Sequence, residues 1–169
     1  MNRATSVEPL KGTHLLAQIA QMRPHDRFDV YGPLQVDMDA AGLNIPNVDY
    51  RGVLESVLTA NFEGYDGFVF TSLTEGMPNT VLEMSQHAIP LILTEVGGLR
   101  DTFSKNSAFL IDPPREGHDA ASEFDAALST VAALCGDALA AMLMDAKAAV
   151  SARHAPEVFQ SLVEEMLGK

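Results

Sequence analysis

Short apolar runs alternate with longer stretches of helical period over the first two thirds of the chain. Runs rich in Val, Ile, Phe and Tyr are typical of buried strands, and the stretches between them are typical of amphipathic helices. The alternation predicts an α/β fold with a parallel sheet. The predicted strands are Phe28 to Gly32, Val48 to Arg51, Gly67 to Ser72, Leu91 to Glu95 and Ala108 to Ile111. The predicted helices are Thr13 to Gln21, Gln35 to Ala41, Leu54 to Asn61, Asn79 to His87 and Leu99 to Ser104.

The pattern changes at Asp119, after which Ala, Leu, Met and Glu dominate and no strand-like run occurs. This segment predicts three successive helices, with breaks near Gly136-Asp137 and near Ala155-Pro156. No internal repeat or Pro-rich linker divides the chain, so residues 1–169 are predicted to form one domain.

The start of the chain is unusual for this fold, because only Met1 and Asn2 precede Arg3. A strand should come before the first helix, so either that first strand is missing or the chain is a piece of a longer protein. In the Rossmann-like strand order 3-2-1-4-5-6 the first strand is central. Its absence predicts a gap, a forced pairing of its two neighbours, or a place filled by another chain.

The candidate chemistry lies after the strand that ends at Ser72, where a polar loop, Leu73 to Thr80, leads into a helix. In open α/β sheets ligands bind at the carboxyl ends of the strands. Gly76 permits close backbone approach, and Pro78 suits a first helical turn. Free N–H groups at the helix start would point at an anion. The turn can therefore receive phosphate or sugar oxygens.

Two glutamates, Glu75 in the loop and Glu83 in the helix, are eight positions apart and can face the same crevice. A carboxylate accepts hydrogen bonds from two adjacent hydroxyls, which is how proteins hold a ribose or hexose diol. In an isolated pair, Glu75 would more simply stabilise the helix N-terminus and Glu83 would be a solvated surface residue.

The letters from Thr71 to Asp101 favour the diol interpretation. They resemble the signature of family 4 (group 1) glycosyltransferases of the GT-B fold: Ser-x-x-Glu-Gly-x-Pro, then a helix with the second glutamate, then Gly-x-Pro, then Gly-Gly. The resemblance implies the C-terminal, nucleotide-sugar donor-binding domain of a retaining glycosyltransferase. It also implies a Rossmann-like parallel sheet flanked by helices and a separate N-terminal domain, absent here, that holds an acceptor glycan or lipid.

The resemblance further implies roles for individual residues. Glu75 would contact the transferred sugar and Glu83 the ribose hydroxyls, while Val53 would lie in the loop that lines the base. Arg3 and Lys11 would neutralise the diphosphate leaving group. The backbone contacts to sugar and phosphate would come from Gly76, Met77, Pro78, Asn79 and Thr80.

Composition narrows the partners. The chain has 11 Lys and Arg residues and a net charge of −12, so it is not expected to bind nucleic acid. No apolar run approaches the roughly 18 residues that a membrane span needs, so membrane association is not indicated. The single cysteine, Cys135, excludes an internal disulfide and is predicted to be a buried small side chain. We expect a cytoplasmic protein with a nucleotide sugar as substrate.

Other signals carry less weight. Asp37-Met38-Asp39 has the Asp-x-Asp form of a metal site but lies in a polar stretch, and the five histidines include no pair at ligand spacing, so no metal is expected. Gly97-Gly98 more simply permits a tight turn than holds phosphate. His87 follows the donor helix and is predicted to be a surface or helix C-terminal residue.

Two other functions stay open. The chain could be a non-catalytic nucleotide-sugar-binding module or pseudoenzyme, or a GT-B relative such as an epimerase or phosphorylase. In every case we expect the 169-residue chain alone to transfer no sugar.

Overall fold

A computed structural model describes residues 12–33, 37–155, 157–158 and 164. They form an α/β fold, as predicted, and the five predicted strands are all present. The strands are β1 Phe28–Tyr31, β2 Val48–Gly52, β3 Phe68–Phe70, β4 Leu91–Thr94 and β5 Phe109–Ile111. The helices are α1 Thr13–Met22, α2 Asn79–Met84, α3 Leu99–Thr102, α4 Ala120–Ala133 and α5 Gly136–His154.

The strands form two parallel sheets within the described part of the chain. One has the order β1-β2, and the other has the order β3-β4-β5. Every pairing is parallel, with Phe28 opposite Val48, and Phe68 opposite Leu91. A cavity of about 690 Å³ is lined by both β1 and β3.

Helices cover the sheets on both sides. On one side α1 and α4 pack against each other, and Leu16, Ile19 and Phe124 lie in one apolar cluster there with Val30 and Ile92. On the other side α2, α3 and α5 contribute to a second cluster. This two-sided cover explains why β4 is apolar and buried along its whole length.

The helix predicted from Gln35 to Ala41 is wrong over residues 37–41, which form turns; Gln35 lies outside the described residues. The side chain of Asp37 accepts a hydrogen bond from the Ala40 N–H at 2.8 Å, and Asp39 accepts one from the Asn44 amide. Such local side-chain hydrogen bonds compete with those of a helix.

The helix predicted from Leu54 to Asn61 is also wrong, since this segment forms turns. Val57 is buried, but Leu58 is 55% exposed, so the apolar residues do not form one packed helical face. Asn61 accepts a hydrogen bond from the Glu63 N–H, which favours a turn.

The C-terminal helices α4 and α5 confirm two of the three predicted there, and α5 begins at the predicted break at Gly136 and ends just before Ala155. The predicted third helix lies mostly outside the described residues. Cys135 contradicts its prediction, because it lies at the N-cap position of α5 and is exposed. No helix in the described part of the chain is long and apolar enough to cross a membrane.

Candidate functional site

The predicted donor loop leaves the carboxyl end of β3 at Thr71 and Ser72, which are both buried. The Ser72 hydroxyl donates a hydrogen bond to Glu75 Oε1 at 2.9 Å. Thr94, the last residue of β4, donates its own hydroxyl to the Ser72 carbonyl at 2.5 Å, with Phe70 O at 3.3 Å. The start of the loop is therefore fixed by its own serine and by the neighbouring strand.

Pro78 ends the loop. It lies at the N-cap of α2 with φ −75° and ψ 105°, one position before the first helical residue, Asn79. Its carbonyl accepts the Val81 N–H at 2.9 Å. Since proline fixes φ near this value, the ring sets the direction in which the helix departs. Val81 and Met84 are buried and anchor the helix in the core.

The two glutamates lie on the same strand, loop and helix passage. Glu75 is in the loop and Glu83 is in the second turn of α2, and both are half-buried. Their partial exposure lets them meet a ligand from solvent. That both carboxylates face one crevice stays a prediction.

Gly97 and Gly98 contribute more than the tight turn predicted for them. Gly97 has φ +56°, and a Cβ there would overlap the carbonyl oxygen of Gly76. The Gly98 N–H donates to that same carbonyl at 2.8 Å. Only glycine permits the backbone to approach the Gly76 carbonyl so closely, so Gly97 and Gly98 support the donor loop at Gly76. The signal in the sequence was the Gly-Gly that follows β4.

An ion pair lies at the turn that carries these glycines. Glu95 precedes the pair and contacts the guanidinium of Arg100, which follows it. The Glu95 N–H donates to the Ile111 carbonyl at 2.7 Å, and Arg100 Nη2 lies 3.9 Å from Asp112 Oδ1. The glycine turn is therefore attached to the end of β5 as well as to β4.

The start of α1 meets the same loop. Gly12 has φ +67°, and a Cβ there would overlap the Thr71 carbonyl oxygen. Lys11 and Arg3, the cations predicted to hold the leaving group, lie outside the described residues. Lys11 precedes Gly12 in sequence, and Gly12 contacts the residue with which the donor loop begins.

Val53 follows β2, in the other sheet, and is 65% exposed. A polar network holds that strand: Arg51 Nε lies 3.0 Å from Asp29 Oδ1, and the Tyr65 hydroxyl donates to Asp29 Oδ2 at 2.6 Å. Burial, followed by the hydrogen bonds to Asp29 and Tyr31, raises the pKa of Tyr65. The network fixes the strand that leads to Val53.

His87 lies just beyond the C-terminal end of α2, as the helix C-terminal alternative predicted, and is half-buried. Its Nε2 is 2.8 Å from the Val57 carbonyl, and its ring meets the edge of Phe62. It joins the end of the donor helix to the segment after β2. Across the described ranges, no cluster of three or more His, Cys, Asp or Glu could hold a metal ion.

Comparison with known proteins identifies the family. The sequence model of the family "Glycosyl transferases group 1" matches residues 5–133 of this chain. These residues include the donor loop, the glycine turn and strands β1 to β5. The chain belongs to the group 1 glycosyltransferases. This confirms the resemblance stated from residues Thr71 to Asp101.

Relatives extend the comparison. TuaC of Bacillus subtilis, whose name places it in teichuronic acid biosynthesis, is 44% identical over 48 residues, covering 28% of this chain and 12% of TuaC. Anabaena HepE in complex with UDP has a TM-score of 0.68 at 17% identity, over 99% of this chain and 50% of that one. Sucrose-phosphate synthase from Thermosynechococcus elongatus has a TM-score of 0.71 at 17% identity, over 95% and 43%. The two structures support the GT-B fold, and the chain spans half or less of these relatives.

Proposed function

We propose that this group 1 glycosyltransferase chain binds the nucleotide diphosphate sugar from which a glycosyl group is transferred, with retention of configuration. The observation that carries the proposal is the donor loop, held at the carboxyl end of β3 by Thr94, Gly97 and Gly98. Ligands of open α/β sheets bind at that edge.

In this proposal the two glutamates divide the ligand between them. Glu83 accepts hydrogen bonds from the ribose hydroxyls, and Glu75, oriented by Ser72, accepts them from the transferred sugar. The backbone from Gly76 to Thr80 contacts sugar and phosphate, because the first N–H groups of a helix have no partner within the helix. Val53 lies beside the base.

Transfer requires stabilisation of the diphosphate as it leaves. Lys11 and Arg3 supply cations for this, an electrostatic contribution that does not need a metal ion. An N-terminal domain of the longer protein holds the glycan or lipid acceptor whose hydroxyl attacks the sugar. Holding both reactants together contributes roughly 7–11 kcal/mol to such reactions. The 169-residue chain alone therefore binds donor weakly and transfers no sugar.

Calorimetry tests the division of roles. Uridine, guanosine and adenosine diphosphates and their sugars are first compared for binding to the unmodified chain. With the preferred base, we expect Glu83→Ala to weaken nucleotide and nucleotide sugar alike, by about 1–3 kcal/mol. Glu75→Ala should weaken mainly the binding of the nucleotide sugar, by a similar amount. Glu116→Ala, at an exposed glutamate beyond β5, controls for the loss of one negative charge.

Equal losses for both ligands in both variants would contradict these roles. Transfer is tested separately, in the chain and in a longer form carrying the upstream domain. Robust transfer by the 169-residue chain alone would contradict the dependence on that domain. Donor binding without transfer by the longer form would favour a non-catalytic binding module.

A further inference from the structure

His87 joins two parts of the chain that the proposed function assigns to one ligand. Its backbone N–H donates to the Met84 carbonyl at 3.0 Å, so His87 is attached to the last turn of α2, the helix that carries Glu83. Its ring Nε2 is 2.8 Å from the carbonyl oxygen of Val57. Val57 follows Val53, the residue proposed to lie beside the base, in the segment after β2. His87 therefore links the proposed ribose side of the site to its base side.

The hydrogen bond between His87 and Val57 is directional. A carbonyl oxygen only accepts hydrogen bonds, so Nε2 carries the proton and donates it. The imidazole also meets the ring of Phe62 edge to face, with ring centroids 4.8 Å apart and an angle of 89° between the planes. Phe62 is buried, which restricts the orientations open to the imidazole. The ring is therefore held with Nε2 directed at the Val57 carbonyl.

The segment after β2 forms turns, so a helix does not fix its backbone. Leu54 and Val57 pack in the same apolar cluster as Met84 of α2. Apolar packing is non-directional, so it holds the segment against α2 without fixing its position along the helix. The Val57 carbonyl also accepts the Ala60 N–H at 3.3 Å, but that bond lies within the segment itself. The bond from His87 is a directional contact that ties the segment to the end of α2.

We propose that His87 is a positioning residue for nucleotide recognition, because its bond to Val57 sets the separation between Glu83 and the segment that begins at Val53. The inference rests on the proposed function, in which Glu83 holds the ribose and Val53 lies beside the base. Ribose and base are covalently joined, so a nucleotide binds well only when both contacts are made at once. Inorganic pyrophosphate has neither group, so its binding does not depend on this separation.

Two variants of the full chain test the role of the bond. His87→Leu removes the ring and its donor, whereas His87→Gln retains a side-chain N–H close to the position of Nε2. Uridine, guanosine and adenosine diphosphates are compared by NMR titration, and the tightest is then compared with inorganic pyrophosphate. We expect His87→Leu to raise the Kd of the nucleotide about fivefold, the effect of one hydrogen bond between neutral groups. The Kd of pyrophosphate should stay unchanged, and His87→Gln should restore most of the nucleotide affinity.

His118→Leu is the matched control. His118 is also half-buried, and its Nε2 is 3.0 Å from a backbone carbonyl, that of Asp112, but it follows β5 in the chain and has no place in the proposed site. This control should leave the binding of both ligands unchanged. Equal weakening of nucleotide and pyrophosphate by His87→Leu would overturn the proposal, since a general loss of structure weakens both. A loss as large with His87→Gln, or with His118→Leu, would also overturn it.

A measurement on the unmodified chain serves if His87→Leu does not fold. Exchange of the His87 Nε2 proton with water is followed by NMR with and without ligand. Bound nucleotide should slow this exchange, because a ligand that contacts both sides opposes the opening that breaks the bond. Bound pyrophosphate should not, and equal exchange rates with and without bound nucleotide would overturn the proposal.

Failure of the proposed function gives a different result. No binding of any of the three nucleotides to the unmodified chain would overturn the proposed function and this inference with it. Nucleotide binding that is insensitive to His87→Leu would overturn this inference alone.

Discussion

Different interactions stabilise the two-stranded sheet and the three-stranded sheet. In the three-stranded sheet β4 is buried along its length, and its last residue, Thr94, bonds the backbone where the donor loop begins. In the two-stranded sheet β2 becomes exposed after Val48, and Asp49 and Arg51 pair with Arg27 and Asp29. Charged side chains on an edge strand also discourage pairing with other chains.

This difference has a consequence for the site. The loop proposed to hold sugar and phosphate is built on buried packing and on glycine contacts, which permit little adjustment. The segment beside Val53, proposed to meet the base, follows a strand held by partly exposed ion pairs, each of which stabilises little. We expect substitutions in the three-stranded half to lower the free energy of unfolding by more than matched substitutions in the two-stranded half.

The largest effect is expected for Gly97→Ala. The added Cβ would overlap the Gly76 carbonyl at a φ of +56°. Left-handed backbone strain and overpacking together should lower the free energy of unfolding by about 2–4 kcal/mol, and nucleotide-sugar binding should be lost. Gly117→Ala is the control, because Gly117 has φ +75° and nothing within 4 Å of the added carbon. Urea unfolding that gives both variants the same loss would show that the contact with Gly76 does not matter.

The next effect comes from deleting one hydroxyl in each sheet. Thr94→Val removes the buried hydroxyl that donates to the Ser72 carbonyl and should lower the free energy of unfolding by about 1–3 kcal/mol. Tyr50→Phe removes a donor to the Gly32 carbonyl from a side chain that is 37% exposed, and should cost below about 1 kcal/mol. Chemical denaturation compares the two. A larger loss of unfolding free energy for Tyr50→Phe than for Thr94→Val would contradict the expectation that the three-stranded sheet is the more sensitive to substitution.

A smaller effect should appear only at high pH. The pKa of Tyr65 is raised in the folded protein, so the unfolded state loses this proton first as pH rises. The stability from Tyr65 is therefore complete below about pH 10, the ordinary pKa of tyrosine, and is lost as pH rises through the folded value. Melting temperatures between pH 9 and 11.5 should fall less steeply for Tyr65→Phe than for the unmodified chain. Parallel curves would contradict a contribution from Tyr65.

The smallest effect is expected for Asp49→Asn, which removes the partner of Arg27 at 2.5 Å. Both side chains are about half exposed or more, so the cost should be below about 0.5 kcal/mol. It should vanish in 1 M salt, where charges are screened within about 3 Å. A loss that persists in salt would show that the two-stranded sheet depends on this pair more than its exposure indicates.

The sequence predicted the strands well because buried parallel strands leave an unmistakable apolar run, as at Leu91–Thr94. It failed where side chains bond locally: Asp37 and Asn61 hold turns in segments whose composition resembled helices. The burial of Cys135 was misjudged because its apolar neighbours belong to α4, whereas Cys135 itself lies between two helices.

Glu75, Pro78 and Glu83 were candidates from their local spacing and, above all, from the resemblance to the family signature, and they lie on the predicted strand, loop and helix passage. That they bind the donor stays a prediction. The contacts of Gly97 with Gly76 and of Gly12 with Thr71 join residues far apart in sequence. Spacing within one motif carries no information about which distant backbone lies against it, so these supports could be recognised only from the fold.

The hydrogen bonds that join the end of α1 to α4 can form only late in the synthesis of the chain. Arg23, just after α1, bonds Asp125 Oδ1 at 2.8 Å and Ser129 Oγ at 3.0 Å in α4. Asp125 follows Arg23 by 102 residues, so at about 5–20 residues per second its codon is reached roughly 5–20 s later. Until then the apolar side of α1 lacks its partner helix. A nascent chain halted before α4 should therefore be a better client for chaperones than one halted after it.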